Sequence, residues 1–485
     1  MSARKRPIAL TVVTDEGAMY ARAPKVYPRE VDGRLQRLRT AAAWWLLGMF
    51  YLFPWVSWGG TQAVLFDLPA RKFHVFGLHF WPQDFVYLAW LLIIAAVALF
   101  AFTALAGRLW CGYACPQTVW TEVFLWIERR FEGTRNQRIR LDAAPWTRAK
   151  LARKAGKQAA WIALALWTGF TFVGFFTPIR ELAGRTLAFE LGGWEAFWML
   201  FYGFATYGNA GYLREQVCRY MCPYARFQGA MIDRDTLVIS YDAARGEARG
   251  HRPRGVPSVL ERAAPPAGVS VLRPAVGEGL GDCLDCTVCV QVCPTGIDIR
   301  DGLQFDCIAC GACIDACDDV MDRVGYPRGL IRYTTERALS GGRTRVLRAR
   351  TAIYGALLLA LVAGLAWSLA HRTPLIVDVL RDRNALYREA RDGAIENAYT
   401  LKLTNKDTVA RSYRVALVGA AEGLSIVGAD VPLQVPAGTT GAFALTVRAA
   451  PAAALGARDI ELDVVSDAEP PVSVRHAARF IGRSP

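Results

Sequence analysis

Twelve cysteines carry most of the chemistry in this 485-residue chain, and every one falls in a short-range cluster. Eight form a double run. Cys283, Cys286, Cys289 and Cys293 are followed by Pro294, and then come Cys307, Cys310, Cys313 and Cys317. Each run reads C-x2-C-x2-C-x3-C, and 13 residues separate the two. This spacing wraps three thiolates of one loop around a cubane while the fourth reaches a second cubane. The expected wiring is therefore crossed. Cys283, Cys286, Cys289 and Cys317 hold one [4Fe–4S] cluster, and Cys307, Cys310, Cys313 and Cys293 hold the other. A disulfide framework belongs to small secreted domains, which this long chain with apolar spans does not resemble. A zinc site needs four cysteines and has no use for two identical runs with a remote fourth ligand.

The other four cysteines form two copies of a second motif. Trp110-Cys111-Gly112-Tyr113-Ala114-Cys115-Pro116 and Val217-Cys218-Arg219-Tyr220-Met221-Cys222-Pro223 both read C-x-Y-x-C-P, each after an apolar segment. Repeat-related spans often pack around a pseudo-two-fold axis, which would bring the four sulfurs together. Pro116 and Pro223 suit the first turn of a new helix. Cys115 and Cys222 then sit at helix N-termini, where the dipole favours thiolate. Val119, Trp120, Val123, Trp126 and Ile127 have helical period and fit a membrane-surface helix. A soft thiolate set suits Cu(I) or reversible dithiol chemistry. The competing reading is of buried, inert cysteines near helix ends. Tyr113 and Tyr220 read as interfacial anchors.

Of the five histidines, none pairs with another inside a span at one depth, so a di-haem cytochrome is not expected. His74 and His79 read as residues of a solvated loop rather than as metal ligands.

The elements that must position these residues are largely apolar. With 53% hydrophobic residues, the chain is too apolar for an ordinary soluble protein of its length. Its formal charge is +14, but the basic residues gather between apolar runs, which argues against nucleic-acid binding. The first 40 residues are basic and polar, without the apolar core of a cleavable signal peptide. Five segments, at about 40–58, 85–107, 158–179, 195–213 and 351–370, approach the roughly 20 residues a helix needs to cross a bilayer. The fourth is short and carries Gly203, Gly208 and Asn209.

Basic residues set the expected orientation. The N-terminal 40 residues carry nine, and the connection after the second span is rich in them, from Arg108 through Lys157. Arg343, Arg345, Arg348 and Arg350 precede the fifth span. The connections after the first and third spans carry two each: Arg71 with Lys72, and Arg180 with Arg185. Five spans then place the N-terminus and the cluster segment in the cytoplasm, where thiols stay reduced, and the C-terminus outside.

The tail changes period. Tyr399–Leu403, Tyr413–Leu417, Ala442–Val447 and Ile460–Val465 alternate, and turns at 405–407, 436–438 and 467–471 separate them. Short alternating strands at this spacing predict a small antiparallel β-sandwich. The expected organisation is an N-terminal segment (1–39), a four-span membrane domain with both C-x-Y-x-C-P motifs (40–242), and a Gly/Pro/Ala/Arg-rich linker (243–280). A two-cluster ferredoxin-like domain (281–335), a fifth transmembrane helix (351–370) and the β-domain (372–485) follow.

The run Cys307 to Asp322, followed by Gly325-Tyr326-Pro327-Arg328-Gly329-Leu330-Ile331-Arg332-Tyr333, resembles the CcoG (FixG/RdxA) family. These are polyferredoxin-like accessory proteins of cbb-type cytochrome c oxidase. The two C-x-Y-x-C-P motifs, the five spans and an Ig-like C-terminal domain match as well, from about residue 30 onward. One departure from ferredoxins in general is Asp318, which follows the last cysteine where proline is usual. It predicts a less constrained loop after Cys317. The resemblance implies a multi-pass bacterial inner-membrane protein with two [4Fe–4S] clusters and a transient copper ion. It also implies oxidase maturation through cupric-reductase-like electron transfer, with Cys111, Cys115, Cys218 and Cys222 at the copper step. Implied partners are a cytoplasmic electron donor, copper or a copper chaperone, oxidase subunits or assembly factors, and the lipid bilayer, with no nucleic acid. Two rival readings stand beside it. One is a quinol-linked electron conduit without copper turnover, and the other a non-catalytic, redox-sensing assembly scaffold.

Overall fold

The structure is a computed structural model that describes residues 25–251, 258–260, 280–382, 385–407, 409–418, 423–429 and 431–483. Most of the N-terminal segment and most of the expected linker lie outside the described residues. The chain divides into two compact units. The first comprises residues 1–48, 100–169 and 199–351, and the second 49–99, 170–198 and 352–485.

Two helices are long and apolar enough to cross a membrane, Pro82–Ala106 and Ala349–Ala370. From Phe85 to Ala106 the first carries no charged residue and is mostly leucine, isoleucine, alanine, valine and aromatic residues; Pro82 precedes it and Gly107 follows. Helix also covers most of the other three expected spans, as Arg34–Leu52, Arg148–Val173 and Gly193–Thr206. Their limits differ from the sequence expectation. The first helix ends at Leu52 because Pro54 starts a tight turn, and Ser57–Trp58 is already a strand. The fourth ends at Thr206 and continues to Leu213 as a wider π-helical stretch around Gly208 and Gly211.

In the first unit, the cluster segment is closed by a strand pair. Val238–Tyr241 pairs antiparallel with Ile331–Thr334. A strand from before the expected linker is thus paired with the strand that follows the cysteine runs. The helix Ala312–Val324 runs through Cys313 and Cys317, so no loop follows Cys317. A proline at 318 would break this helix. Asp318 instead accepts the Gly329 amide at 2.9 Å and ties the helix to the turn beyond it. Two neighbouring cores surround the cysteines. Ile239, Ile299, Met321, Leu330 and Ile331 belong to one, and Val292, Ile308, Ala312 and Ala316 to the other.

The N-terminus of the Arg34–Leu52 helix is held by the same segment. The Asp315 carboxylate accepts the amides of Leu35 at 3.2 Å and Gln36 at 2.7 Å, satisfying two donors that a helix start leaves open. Gly33 leaves room for that carboxylate, since a Cβ there would fall 2.1 Å from Asp315 Cγ.

The second unit holds the β-domain. One sheet orders the strands Leu424–Val427, Thr440–Ala449, Ile395–Asn405 and Leu375–Arg381, with Arg388–Glu389 also on Ile395–Asn405. The other orders Leu433–Val435, Arg411–Val418, Ala457–Ser466 and Ser473–Ile481. All pairings are antiparallel. Alternate residues face inward: Tyr399, Leu401 and Leu403 from one sheet, Leu462, Val464 and Phe480 from the other, all nearly inaccessible. Buried Asn397 is satisfied by the Ile481 backbone, at 2.8 Å to its carbonyl and 3.0 Å from its amide. The four alternating runs of the sequence are strands. Between the first two expected spans the chain builds further strands, with Val64–Asp67, Lys72–Val75 and Leu78–Phe80 forming one antiparallel sheet. His74 and His79 therefore lie in a half-buried hairpin, not in a solvated loop.

Candidate iron–sulfur and thiol sites

The two cysteine runs adopt the same backbone shape. In each, the second residue after the first cysteine and the residue after the second cysteine are left-handed: Asp285 and Thr287 in one, Ala309 and Gly311 in the other. Such φ values are costly for three of these four residue types and persist where the surroundings dictate the loop. Each loop is thus turned to aim its sulfurs at one point.

Two cavities receive those sulfurs. Cys283, Cys286, Cys289 and Cys317 line one, together with Tyr241, Val320, Met321 and Leu330. Cys293, Cys307, Cys310 and Cys313 line the other with Ile239, Ile297 and Ile308, and Cys289 borders it too. The fourth cysteine of each run therefore stands with the first three of the other. Burial pushes the thiols up, Cys289 to about 11 and Cys307 and Cys317 to about 12, with Cys313 also well above its ordinary value. Bound iron would supply a charge that opposes this burial. Apart from Arg300 and Thr287 in one and Thr295 in the other, the residues beside the four cysteines are apolar, so the donor set and the lining fit a cubane in each.

The four remaining cysteines lie in the same unit. Cys115 and Cys222 are extended residues directly ahead of the helices Pro116–Glu132 and Pro223–Met231, as the prolines predict. Cys111 sits in the short helix Leu109–Tyr113, and Cys218 in a π-helical turn, Val217–Met221. The four are within electrostatic reach of one another. Burial first, and then the neighbouring Cys115, Cys111 and Cys222, push Cys218 up to about 12. Cys111 and Cys115 are also raised, chiefly by burial. The expected thiolate preference at Cys115 thus yields to desolvation, which outweighs the backbone amides of Gln117 and Thr118.

Both motifs dock on the second cysteine run. A Cβ on Gly112 would lie 2.8 Å from the Ile308 carbonyl oxygen and 2.9 Å from Cys310 Cα, so only glycine admits this approach. Cys111 packs against the core formed by Cys310, Ala312 and Val292. Tyr113 reaches Tyr333 at 3.4 Å between hydroxyls, and Tyr333 donates to the Ala309 carbonyl at 2.6 Å. Tyr113 is therefore part of this junction. From the second motif, Arg219 makes a two-pronged bond to Asp306, at 3.0 and 2.6 Å. Arg219 follows Cys218 and Asp306 precedes Cys307, so this ion pair fastens one cysteine set to the other. Fully buried Gln228 lies 3.4 Å from Cys111 Sγ. Sequence reasoning missed Gly112, Arg219, Asp306 and Gln228, which carry no local periodicity and act only across distant segments.

Paired cysteine runs in one ferredoxin-type segment, with further thiols folded against it, define an iron–sulfur electron-transfer protein. The comparisons agree. The chain matches the 4Fe-4S dicluster domain over residues 213–336, a 4Fe-4S binding domain over 88–133, and the IG-like fold at the C-terminus of FixG over 365–483. It is 38% identical to Protein RdxB of Cereibacter sphaeroides, over 97% of this chain and 98% of that one. It is 40% identical to Protein RdxA of the same organism, over 89% and 90%, and 38% identical to Nitrogen fixation protein FixG of Rhizobium meliloti, over 83% and 81%. The chain belongs to the FixG/RdxA family.

Proposed function

We propose that this protein is a bacterial inner-membrane cupric reductase that serves assembly of a cbb-type cytochrome c oxidase. In this reading Cys283, Cys286, Cys289 and Cys317 bind one [4Fe–4S] cluster, and Cys307, Cys310, Cys313 and Cys293 bind the other. Such clusters supply one-electron carriers with potentials adjustable over a wide range. Cys111, Cys115, Cys218 and Cys222 receive copper as substrate, and soft thiolate ligands favour the Cu(I) product. One electron and one copper ion are matched in each turnover. Five spans place the clusters in the cytoplasm, facing an electron donor there, and the Ig-like domain outside, facing oxidase subunits or assembly factors.

The observation that supports this reading is the approach of Gly112 to the Ile308 carbonyl and Cys310 Cα, with the neighbouring Cys111 packed against the core that contains Cys310. A second reading is a membrane electron conduit without copper turnover. It is favoured by the close approach of Gly112 to the second cysteine run, which serves electron transfer with or without copper. Anaerobic protein with dithionite-reduced clusters, freed of excess reductant, separates the two. Addition of Cu(II) should reoxidise the clusters with one Cu(I) formed per electron, and Cys111→Ser/Cys115→Ser should stop this with iron content unchanged. Clusters that stay reduced in the presence of Cu(II) would reject cupric reduction.

A further inference from the structure

Arg108 carries a charge to which the ligand assignments give no role. It follows the apolar helix Pro82–Ala106, precedes Cys111 by three residues and is buried, with 8% of its surface exposed. The chain on either side of it is pinned. Thr236 Oγ1 donates to the Ala104 carbonyl at 3.1 Å and the Leu237 amide to the Leu105 carbonyl at 3.0 Å, sealing the helix end. The Cys111 amide donates to the Arg108 carbonyl at 2.9 Å. Gly107, at φ 52°, turns the chain between these bonds, and a Cβ there would lie 3.0 Å from the Leu237 carbonyl oxygen. So held, Arg108 shares the wall of one cavity with Cys307, Ile239 and Phe305. Its guanidinium donates to the Ala225 carbonyl at 2.5 Å, on the helix Pro223–Met231 that follows Cys222.

The same guanidinium acts on both cysteine sets. It opposes the burial that pushes up the thiols of Cys307, Cys111 and Cys218. Other arginines near the clusters are matched by carboxylates. Arg39, which acts on Cys310, pairs with Glu122 at 2.8 Å. Arg300, which acts on Cys289, pairs with Asp285 at 2.5 Å and Asp298 at 2.6 Å. The acids of the Arg108 cavity are engaged elsewhere, Asp233 by Arg348 and Glu336 by Arg234 at 3.6 Å. Arg108 bonds instead to a neutral carbonyl, which leaves its charge to act on the sulfurs. An iron–sulfur cluster gains negative charge on reduction, and in a poorly solvated site a nearby cation stabilises that charge. We propose that Arg108 raises the reduction potential of the cluster bound by Cys293, Cys307, Cys310 and Cys313, biasing an electron shared between the clusters toward the one beside Cys111 and Cys218. This rests on the two-cluster reading and not on copper turnover.

Two substitutions separate the charge from the bond. Arg108→Gln removes the charge and keeps a donor for the Ala225 carbonyl, while Arg108→Lys keeps the charge. Full-length protein in detergent is checked for iron content, titrated anaerobically with redox mediators and followed by electron paramagnetic resonance. In Arg108→Gln the reduced-to-oxidised ratio of one cluster at a fixed ambient potential should fall by on the order of tenfold, about 59 mV for one electron. That cluster should be the one whose signal Cys293→Ser damages. The other should move much less, and Arg108→Lys should stay near wild type. Unchanged potentials in Arg108→Gln, an equal shift of both clusters, or the same shift in Arg108→Lys would overturn the proposal. Should Arg108→Gln lose iron, Leu303→Glu places an acid on an exposed part of the same cavity wall and should lower the same potential, and no change there would also overturn it. Four irons in the unsubstituted chain would instead reject the two-cluster reading beneath the proposal, so the two failures are told apart by iron content.

Discussion

Single atoms govern the junction between the two cysteine sets. Gly112→Val would drive methyl groups into the Ile308 carbonyl and Cys310 backbone, at an overpacking cost of about 1–3 kcal/mol. The expected outcome is full iron content with slowed reoxidation by Cu(II), read by stopped-flow absorbance. Iron loss would instead make Gly112 a requirement of cluster assembly. Crossed wiring is testable at the same scale. The intact chain should hold about eight irons, and Cys293→Ser should damage the cluster built on Cys307, Cys310 and Cys313. Cys317→Ser should damage the one built on the first run. Electron paramagnetic resonance of the two variants should therefore show opposite signals surviving, and damage confined to each variant's own run would refute the crossing. The twelve cysteines were legible in the sequence because each ligand set is mostly local, a few residues apart. Gly112 and Arg219 were not, since a glycine and an arginine announce nothing until distant chain is folded against them.

At the scale of elements, what folds the cluster segment is less local than its motif. Arg245 and Asp282 are both buried and pair at 2.7 Å, while Arg245 also donates to the Arg328 carbonyl at 3.0 Å. Asp282 precedes Cys283, so this pair anchors the first run to the strand Val238–Tyr241 that precedes Arg245. Removing one partner of a buried pair leaves an uncompensated charge, typically about 3–5 kcal/mol. Arg245→Ala should therefore lower the temperature at which cluster absorbance is lost, and a midpoint equal to wild type would remove the anchor role. Sequence pattern placed residues 243–280 in a linker because Gly, Pro and Arg dominate there, and a buried arginine looks like any other arginine. The β-domain was more legible. Ile395–Asn405 and Ala457–Ser466 alternate cleanly, one face in and one out. Leu375–Arg381 was hidden by its unalternating start, Leu375-Ile376-Val377, close behind a long apolar helix, and Ser473–Ile481 by its arginines and histidine. The hairpin around His74 had its signal in Phe76-Gly77, a turn dipeptide weaker than Asn-Gly.

For the whole molecule, the number of membrane crossings decides which compartment each end meets. An odd count puts the termini on opposite sides, and five is the count expected from the alternation of basic connections. Reporter fusions at Lys157 and Ser340 should read cytoplasmic and one after Gly482 periplasmic. A cytoplasmic reading at Gly482 would make the count even, with Gly193–Thr206 and its π-helical continuation the first segment to remove. It would also place the Ig-like domain in the cytoplasm.

The cap that Asp315 places on the Arg34–Leu52 helix has a consequence for biosynthesis. The acceptor for the Leu35 amide lies 280 residues later in the chain, between two cysteines of the second run. A ribosome therefore finishes the first helix long before its end can be sealed. Until the ferredoxin segment has been made and folded, that end stays open to water, proteases and chaperones. Folding of the segment that carries the second cysteine run and sealing of the first helix are thereby linked, so a defect in the one leaves the start of the other exposed.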